Sequence, residues 1–427
     1  MNPLAPAIAA IAVLALLEMP VFTVIAALSI ACLFLVDHDP LALQMVIIEM
    51  NRLGSMPVLV ALPLFTFVGC LLTETQAPRR MMHFIQALLG WLPGGLAMAA
   101  LCSCALFTAL TGASGVTIVA LGSILYPVMR NNGYGDKFSL GLLTTSGSLG
   151  LLFPPSLPVI LYAVVAQVDI GKIFKAALLP GLLLIVALCG FAFWVQRVKV
   201  KPASVGGYPV KTVISAFMAA IWDWPVIGLV IVGVYGGYVT IAEVSAVVLV
   251  YVVVVECFIL KEVSFFQKLP AVMIESAVLS GAIIVILGVA LGFTSFLVDE
   301  RIPTRIFELL IAFSDSKLLF LAGLNLFLLA VGCIMDIFSA IVIIVPIIVP
   351  VALSYGVDPV HLGVIFLVNL EIGYATPPVG INLFIASLKF RKPITTLYRA
   401  SIPYLMVMLA MLVLITYVPW LSLFVVK

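Results

Sequence analysis

The sequence predicts an all-α polytopic membrane protein made of two inverted-topology repeats, each holding a re-entrant helical hairpin and a broken transmembrane helix. Three observations predict it. The 427 residues are 64% hydrophobic and only 9% charged, with a mean hydropathy of +1.31, whereas a soluble domain carries about 25% charged residues. The apolar segments suffice for about ten to twelve crossings, each needing about 20 residues. The Gly/Pro-interrupted segments occur twice, at offsets of 222 to 225 residues. A cytoplasmic enzyme, a nucleic-acid binder and a disordered scaffold are excluded by this composition.

The first residues, MNPLAPAIAAIAVLALLEMP, lack the basic start of a signal peptide, so retained spans are expected over 4–18 and 20–36. Glu18, beside Pro20, reads as interfacial. A third span over 55–76 precedes a short amphipathic stretch, 79–92. Residues 94–129 are apolar for 36 positions, which as one straight helix would measure about 54 Å against a bilayer core of about 30 Å. Thr111-Gly-Ala-Ser-Gly115 lies at its middle, so it folds back as a hairpin. Over 138–168 the run Thr144 to Ser156 contains glycines and the pair Pro154-Pro155. Proline removes a helix donor and clashes with the preceding turn, so this helix is broken. A plain span at 174–195 ends the first repeat, 1–195, and a cytoplasmic linker, 196–221, with Pro202, Gly206, Gly207 and Pro209 follows.

The second repeat, 222–427, uses the same order after its spans at 222–239, 240–260 and 271–298. An amphipathic stretch at 302–313 leads into a second hairpin at 317–353, 37 residues long, with Gly332, Asp336 and Ser339 near its middle. A second broken helix, 359–386, carries Asn369-Leu-Glu-Ile-Gly-Tyr-Ala-Thr-Pro-Pro-Val-Gly380, and a plain span covers 402–425. Pro78 and Arg80 match Pro303 and Arg305, Asp136 and Gly141 match Asp358 and Gly363, and Gly150 and Pro154-Pro155 match Gly373 and Pro377-Pro378. Such internal repetition is the mark of transporters built by duplication. If hairpins do not cross, each half has five crossings, and an odd number inverts the second half. With both termini outside, 14 of the 21 Lys and Arg fall in cytoplasmic loops, as the positive-inside rule requires.

Non-helical backbone at membrane depth is tolerated only where protein buries it or where it lines a wet cavity. The tip Thr111–Gly115 is therefore expected to face the break Ser146–Ser156, and the tip Met335–Ser339 the break Glu371–Gly380. Freed carbonyls and the hydroxyls of Thr111, Ser114, Thr145, Ser146, Ser148, Ser339 and Thr376 suit a small monovalent cation such as Na⁺. The N-terminal ends of half-helices favour an anion. The reading is two quasi-equivalent cation sites flanking one anion site. Packing alone accounts for any single Gly, Ser or Thr, but not for the same pairing seen twice. For the anion the candidates are Ser114, Ser148, Ser156, Asp336, Ser339 and Asn382.

Acids in apolar sequence cost about 2.5 to 3.5 kcal/mol on insertion scales. Asp336 is expected to touch substrate or tune a cation site, and Glu371 to cap a half-helix or carry a proton. Glu243, Glu256 and Glu275 are expected to reach headgroups or a neighbouring subunit. Asn369 and Asn382 are expected to satisfy the backbone freed at the second break. Trp91, Trp194, Trp222, Trp224 and Trp420 lie near segment ends, where aromatic belts belong. Seven cysteines within apolar runs, three scattered histidines and no phosphate-binding loop indicate neither a metal cluster nor an ATP-driven pump.

Six strings then resemble one family: Met56-Pro-Val-Leu-Val-Ala-Leu-Pro-Leu-Phe-Thr-Phe-Val-Gly69, Thr111–Gly115, Gly150-Leu-Leu-Phe-Pro-Pro-Ser156 through Tyr162, Met335-Asp-Ile-Phe-Ser339, Gly356–Gly363 and Asn369–Phe384. They resemble the large membrane subunit of tripartite ATP-independent periplasmic (TRAP) transporters over nearly the whole chain. The resemblance implies an elevator-type secondary transporter of a bacterial inner membrane, driven by Na⁺. It implies import of a small organic acid delivered by a periplasmic substrate-binding protein. A small four-helix membrane subunit would complete the unit as a separate chain, since residue 1 leads directly into the large-subunit pattern. Carried over by position, one ion site comprises Thr111, Gly112, Ala113 and Ser114 with Ser146 and Gly150. The other comprises Gly332, Asp336, Gly373 and Thr376. The family's Ser-Gly-Ser-Ser-like tip is Thr-Gly-Ala-Ser here, so position 113 offers only its carbonyl.

The expected function is Na⁺-coupled uptake of a small carboxylate or similar organic anion. Its rivals are proton coupling through Asp336 and Glu371, a membrane-embedded enzyme, for which no nucleophile with a base is visible, and a passive channel.

Overall fold

The computed structural model describes residues 42–196, 210–236, 239–299 and 316–426, with a few isolated positions between them. The spans expected over 4–18 and 20–36, Glu18, the linker stretch 197–209 and nearly all of 302–313, with Pro303 and Arg305, lie outside the described residues. Among the described residues every regular element is helical.

Helix α1 (Ala42–Gly54) is amphipathic, with Glu49 and Arg52 in its run, so no apolar segment marks it. A 3-10 turn at Pro57–Val60 leads into α2 (Ala61–Thr73). α3 (Ala77–Leu89) has proline in its first turn, where the missing donor costs nothing, and buries Met81, Met82 and Ile85. α4 (Gly95–Thr111) stops at Gly112, whose φ of +66° is a left-handed cap that glycine adopts freely. The chain restarts as α5 (Ser114–Asn131). α6 (Asp136–Ser146) and α7 (Leu157–Val165) are the halves of the first broken helix, and α8 (Ile170–Gln196) is a plain span.

After α8, α9 (Val210–Ala219) is a helix inside the stretch expected to be linker, and α10 (Trp224–Gly236), which opens the second repeat, is bent from it by 75°. α11 (Ile241–Val254) continues through a π turn at Val255–Ile259, and α12 (Lys268–Asp299) follows. α13 (Lys317–Ile334) and α14 (Ile337–Ser354) form the second hairpin, α15 (Pro359–Gly373) and α16 (Ile381–Phe390) the second broken helix, then α17 (Ile394–Tyr417) and a last turn, α18 (Trp420–Leu423). Both proline pairs, Pro154-Pro155 and Pro377-Pro378, have cis peptide bonds. Six described helices are long and apolar enough to cross a bilayer: α8, α11 with its π turn, α12, α13, α14 and α17.

Both overlong segments fold back as expected. Lys317 Nζ at the start of α13 donates to the Gly356 carbonyl just past α14 at 2.6 Å, and the Phe320 and Tyr355 rings stack at 4.3 Å. In the first hairpin the Thr108 and Thr117 hydroxyls share a 2.6 Å hydrogen bond below the tip. Equivalent helices match closely: α5 and α14 each have 18 residues and begin 223 positions apart.

The two halves interlock. α4 and α5 pack on α6 of their own repeat, as α13 and α14 pack on α15. The second half-helices are exchanged: α16 packs on α5, and α7 packs on α14. Lipid gives apolar helices no hydrophobic reason to associate, so close packing and interhelical hydrogen bonds must hold them. A Cβ on Gly373 would lie 2.5 Å from the Gly332 carbonyl carbon, so α13 and α15 touch backbone to backbone. Nearby, Asn369 Nδ2 donates to Asn325 Oδ1 at 2.7 Å, Asn325 Nδ2 donates to Thr416 Oγ1 at 3.1 Å, and His361 Nε2 lies 3.3 Å from the Thr416 carbonyl. This chain of amides joins α13, α15 and α17.

Candidate functional site

Each hairpin tip faces the break of its own repeat. At the first, Thr108 Oγ1 donates to the Gly147 carbonyl at 2.8 Å, and a Cβ on Gly150 would lie 2.2 Å from the Ala105 carbonyl oxygen. The C-terminal ends of α4 and α6 are thereby pressed together. At the second, the Gly380 amide donates to the Cys333 carbonyl at 2.9 Å and the Ile337 amide to Tyr374 Oη at 2.5 Å. The contact of Gly332 with Gly373 brings the C-terminal ends of α13 and α15 together in the same way. The last four carbonyls of a helix have no intrahelical donor, and a helix C-terminus carries about half a negative charge. Each repeat thus offers two such ends side by side.

The N-terminal ends converge across the repeats. Ser114 Oγ, first residue of α5, donates to Asn382 Oδ1, second residue of α16, at 2.8 Å. Ser114 and Asn382 are buried, and the Asn382 amide nitrogen has no partner among the described residues. Two N-terminal dipoles and an unpaired donor therefore meet at one buried point. At the equivalent place α7 and α14 begin with buried apolar residues, Leu157 and Ile337.

The expected ligands divide into groups. Thr111, Gly112, Ala113 and Ser114 form the first tip, with Ser146 and Gly150 on the facing break. The Ser146 hydroxyl is turned back onto its own helix, toward the Leu143 carbonyl at 3.4 Å, so what this position offers the tip is backbone. Gly332 and Gly373 are in contact, and the Thr376 hydroxyl donates to the Ile372 carbonyl at 2.8 Å. Asp336 is engaged by its own helix. It caps α14, accepting from the Ser339 amide at 2.9 Å and the Ser339 hydroxyl at 2.5 Å. Its counterpart at the 223-residue offset, Ala113, adopts the same extended backbone without a side-chain cap. Ser148 lies away from its own tip, donating to the Glu371 carbonyl at 3.2 Å, and the buried Ser156 hydroxyl has no partner among the described residues. Both Glu371 carboxylate oxygens also lack one, at 0% exposure.

Two expectations change, those for Glu256 and Asn369. Glu256 does not reach headgroups or a neighbour: it is 1% exposed and pairs with Arg80 at 3.2 Å. Arg80 also forks onto Asp223 at 2.8 and 2.9 Å and contacts Glu262, pinning α3 to the α9–α10 corner and to the end of α11. Only the pairing of an arginine on an amphipathic helix with acids at segment ends signals this cluster in the sequence. Glu243 stays exposed at the start of α11, where it closes a capping box with Thr240. Trp224, at the start of α10, packs between Phe84 and the partly exposed Phe217. Asn369 bonds Asn325 and leaves the freed backbone of the second break to Gly380, Asn382 and Tyr374.

At the mouth of α6 the Asp136 carboxylate accepts from the Tyr126 hydroxyl and from Lys392 Nζ, the latter at 3.0 Å. Burial pushes this carboxyl up, but Tyr126, Lys392 and Arg130 outweigh it and hold it below the usual carboxylate range.

Comparison with known proteins adds the following. The family model of the tripartite ATP-independent periplasmic transporter, DctM component, matches residues 8–421. The isethionate TRAP transporter permease protein DctMQ of Oleidesulfovibrio alaskensis is 36% identical over 377 residues, covering 88% of this chain and 59% of that protein. The chain therefore spans 59% of that relative's length. The C4-dicarboxylate TRAP transporter large permease protein DctM of Pseudomonas aeruginosa is 36% identical over 365 residues, covering 86% of this chain and 85% of that one. The ectoine/5-hydroxyectoine TRAP transporter large permease protein UehC of Ruegeria pomeroyi is 28% identical over 398 residues, covering 92% and 91%. In fold, the chain is similar to the YdaH transporter of Alcanivorax borkumensis, with a TM-score of 0.65 at 14% identity over 90% of this chain and 89% of that one.

Proposed function

This chain belongs to the DctM component family of tripartite ATP-independent periplasmic transporters, and on that premise we propose that it imports a small organic anion together with Na⁺. It is a multi-pass membrane transporter component and not an enzyme. The observation that carries the proposal is the meeting of the α5 and α16 N-termini at Ser114 and Asn382, flanked by two pairs of helix C-termini. An anion is favoured at the first by dipoles and the unpaired Asn382 amide, and cations at the other two by carbonyls and opposite dipoles. The relatives named for isethionate, C4-dicarboxylates and ectoine handle a sulfonate, carboxylates and a zwitterion bearing a carboxylate. One small acidic group is common to all.

Binding of Na⁺ at Thr111–Ser114 with Ser146 and Gly150, and at Gly332 and Asp336 with Gly373 and Thr376, orders both tips and completes the anion site. Gly and Ala at these positions offer only backbone, and Asp336 acts by fixing the tip of α14. Ser148 and Ser339 hold neighbouring backbone, and the buried Ser156 hydroxyl is a further donor for the anion. Hairpins and broken helices then shift as a body against a scaffold of 4–36, α8, α10, α11 and α17. The electrical part of the Na⁺ gradient supplies about 2.3 kcal/mol per charge per 100 mV. A periplasmic binding protein delivers the anion, and a small four-helix membrane subunit completes the scaffold. The setting is the bacterial inner membrane, with both termini periplasmic and the repeats inverted.

The test is uptake of labelled dicarboxylates and sulfonates by vesicles holding the chain with both partners. Accumulation is expected under a Na⁺ gradient. Undiminished accumulation under a proton gradient without Na⁺ overturns the coupling ion, and flux that never exceeds equilibrium overturns active transport.

A further inference from the structure

We propose that Cys102 and Cys189 form an oxidation site, a thiol pair that closes to a disulfide and staples the first hairpin to α8. The pair is set by helix register. α4 and α8 pack together, and a Cβ on Gly94, just before α4, would lie 3.1 Å from the Ala192 carbonyl oxygen near the end of α8. Further along, Leu106 and Ala109 of α4 line one cavity with Leu178, Leu182 and Ile185 of α8. The Cβ on Gly94 would also lie 3.3 Å from Gln196 Cβ, so the chains run in opposite directions and this register brings Cys102 level with the turn of α8 that ends beside Cys189. The two thiols are close enough to influence each other's ionisation. Cys104, two positions on, turns away toward Ser146.

Access comes from the same cavity. Cys102 lines an apolar space of about 410 Å³ between α4, α8 and α10, with the half-exposed Leu182 and Ile231 at its edge. A small uncharged oxidant such as hydrogen peroxide can enter without shedding a strong hydration shell. One thiol sulfur attacks the peroxide, the O–O bond breaks, and a sulfenic acid and one water result. The second sulfur displaces the hydroxyl, the S–S bond forms and a second water leaves. Two thiols are oxidised, one peroxide is reduced, and both thiol protons end on water. The consequence for transport rests on the proposed function, in which α4 moves and α8 does not: the staple holds the hairpin in one position.

The experiment treats the full complex in vesicles with hydrogen peroxide and reads it by peptide mass spectrometry and by uptake. A linked peptide pair joining residues 102 and 189 is expected, absent after Cys102→Ser or Cys189→Ser and reversed by dithiothreitol. No linked pair in protein whose methionine sulfoxides show that peroxide entered overturns the site. Loss of most uptake on oxidation, recovery on reduction and insensitivity of both serine variants are expected. A linked pair with unchanged uptake overturns the movement of α4 past α8. The mass readout needs no transport, so failure of Na⁺-coupled uptake in unoxidised vesicles strikes the proposed function and leaves the thiol result standing.

Discussion

The Ser148 hydroxyl donates to the backbone carbonyl of Glu371 at 3.2 Å, and these two residues are counterparts in the two repeats. They stand at the same 223-residue offset as Gly150 and Gly373. A residue touches its own counterpart only where the rotation relating two repeats has its axis. α6 and α15 approach at their C-terminal ends there and do not lie alongside one another. The repeats have diverged at this centre, since one contributes a hydroxyl and the other a buried carboxyl.

Asn382→Ala removes an unpaired buried donor and leaves Ser114 without its acceptor. The expected outcome is a raised KM for uptake, by about 1–3 kcal/mol of lost binding, with the protein still folded. Asn382→Asp sets a negative charge where the anion is held and abolishes uptake. Transport kinetics of the two variants check this, and an unchanged KM in Asn382→Ala contradicts it.

Gly373→Ala forces a methyl to within 2.5 Å of the Gly332 carbonyl carbon, and backbone on that side has no rotamer to change. Overpacking of this kind costs about 1–3 kcal/mol. Gly323→Ala in the same neighbouring helix meets nothing within 4 Å and gains about 0.5–1 kcal/mol of helix preference. Thermal melts in detergent should move in opposite directions for the two.

Arg80→Ala strands Asp223 and Glu256 in the interior without their cation. Breaking a buried pair from one side costs about 3–5 kcal/mol. Arg80→Lys keeps the charge but cannot fork onto Asp223, so it falls between Arg80→Ala and the parent protein. The order of the three melting temperatures is the measurement.

The Asp136 carboxyl lies below its ordinary range because Tyr126, Lys392 and Arg130 outweigh its burial. A depressed acid stabilises the fold in full above the ordinary carboxylate pKa, and the contribution disappears as pH falls through the lowered one. The melting temperatures of the parent and of Asp136→Asn should differ near neutral pH and converge in acid. A gap that persists at the acid end contradicts it. Both partners are about one-third exposed, so the gap is small.

Length, apolarity and interruption made the hairpins and broken helices legible. Thirty-six or thirty-seven apolar residues outrun a bilayer, and paired prolines stop a helix wherever it sits. Thr111–Gly115 and Ser146–Ser156 could be matched because duplication writes the same break twice. The sequence showed an arginine on an amphipathic helix and acids at segment ends, but which of them pair was not legible, since Asp223, Glu256 and Glu262 are far from Arg80 in sequence and only the packing of α3 joins them. Helix α1 escaped because amphipathic helices lack a long apolar run. The exchange of α7 and α16 between halves was equally hidden, because hydrophobic periodicity says which face is buried and not by which partner.

That exchange bears on how such a chain could have arisen. α7 packs on α8 of its own half and on α14 of the other, and α16 packs on α17 of its own half and on α5 of the other, so a single half supplies only one of the two walls around the end of its broken helix. A lone ancestral unit would have had its second wall only in an intertwined pair of identical chains. Cutting the present chain between its halves should give two fragments that assemble when made together and that fail when made singly.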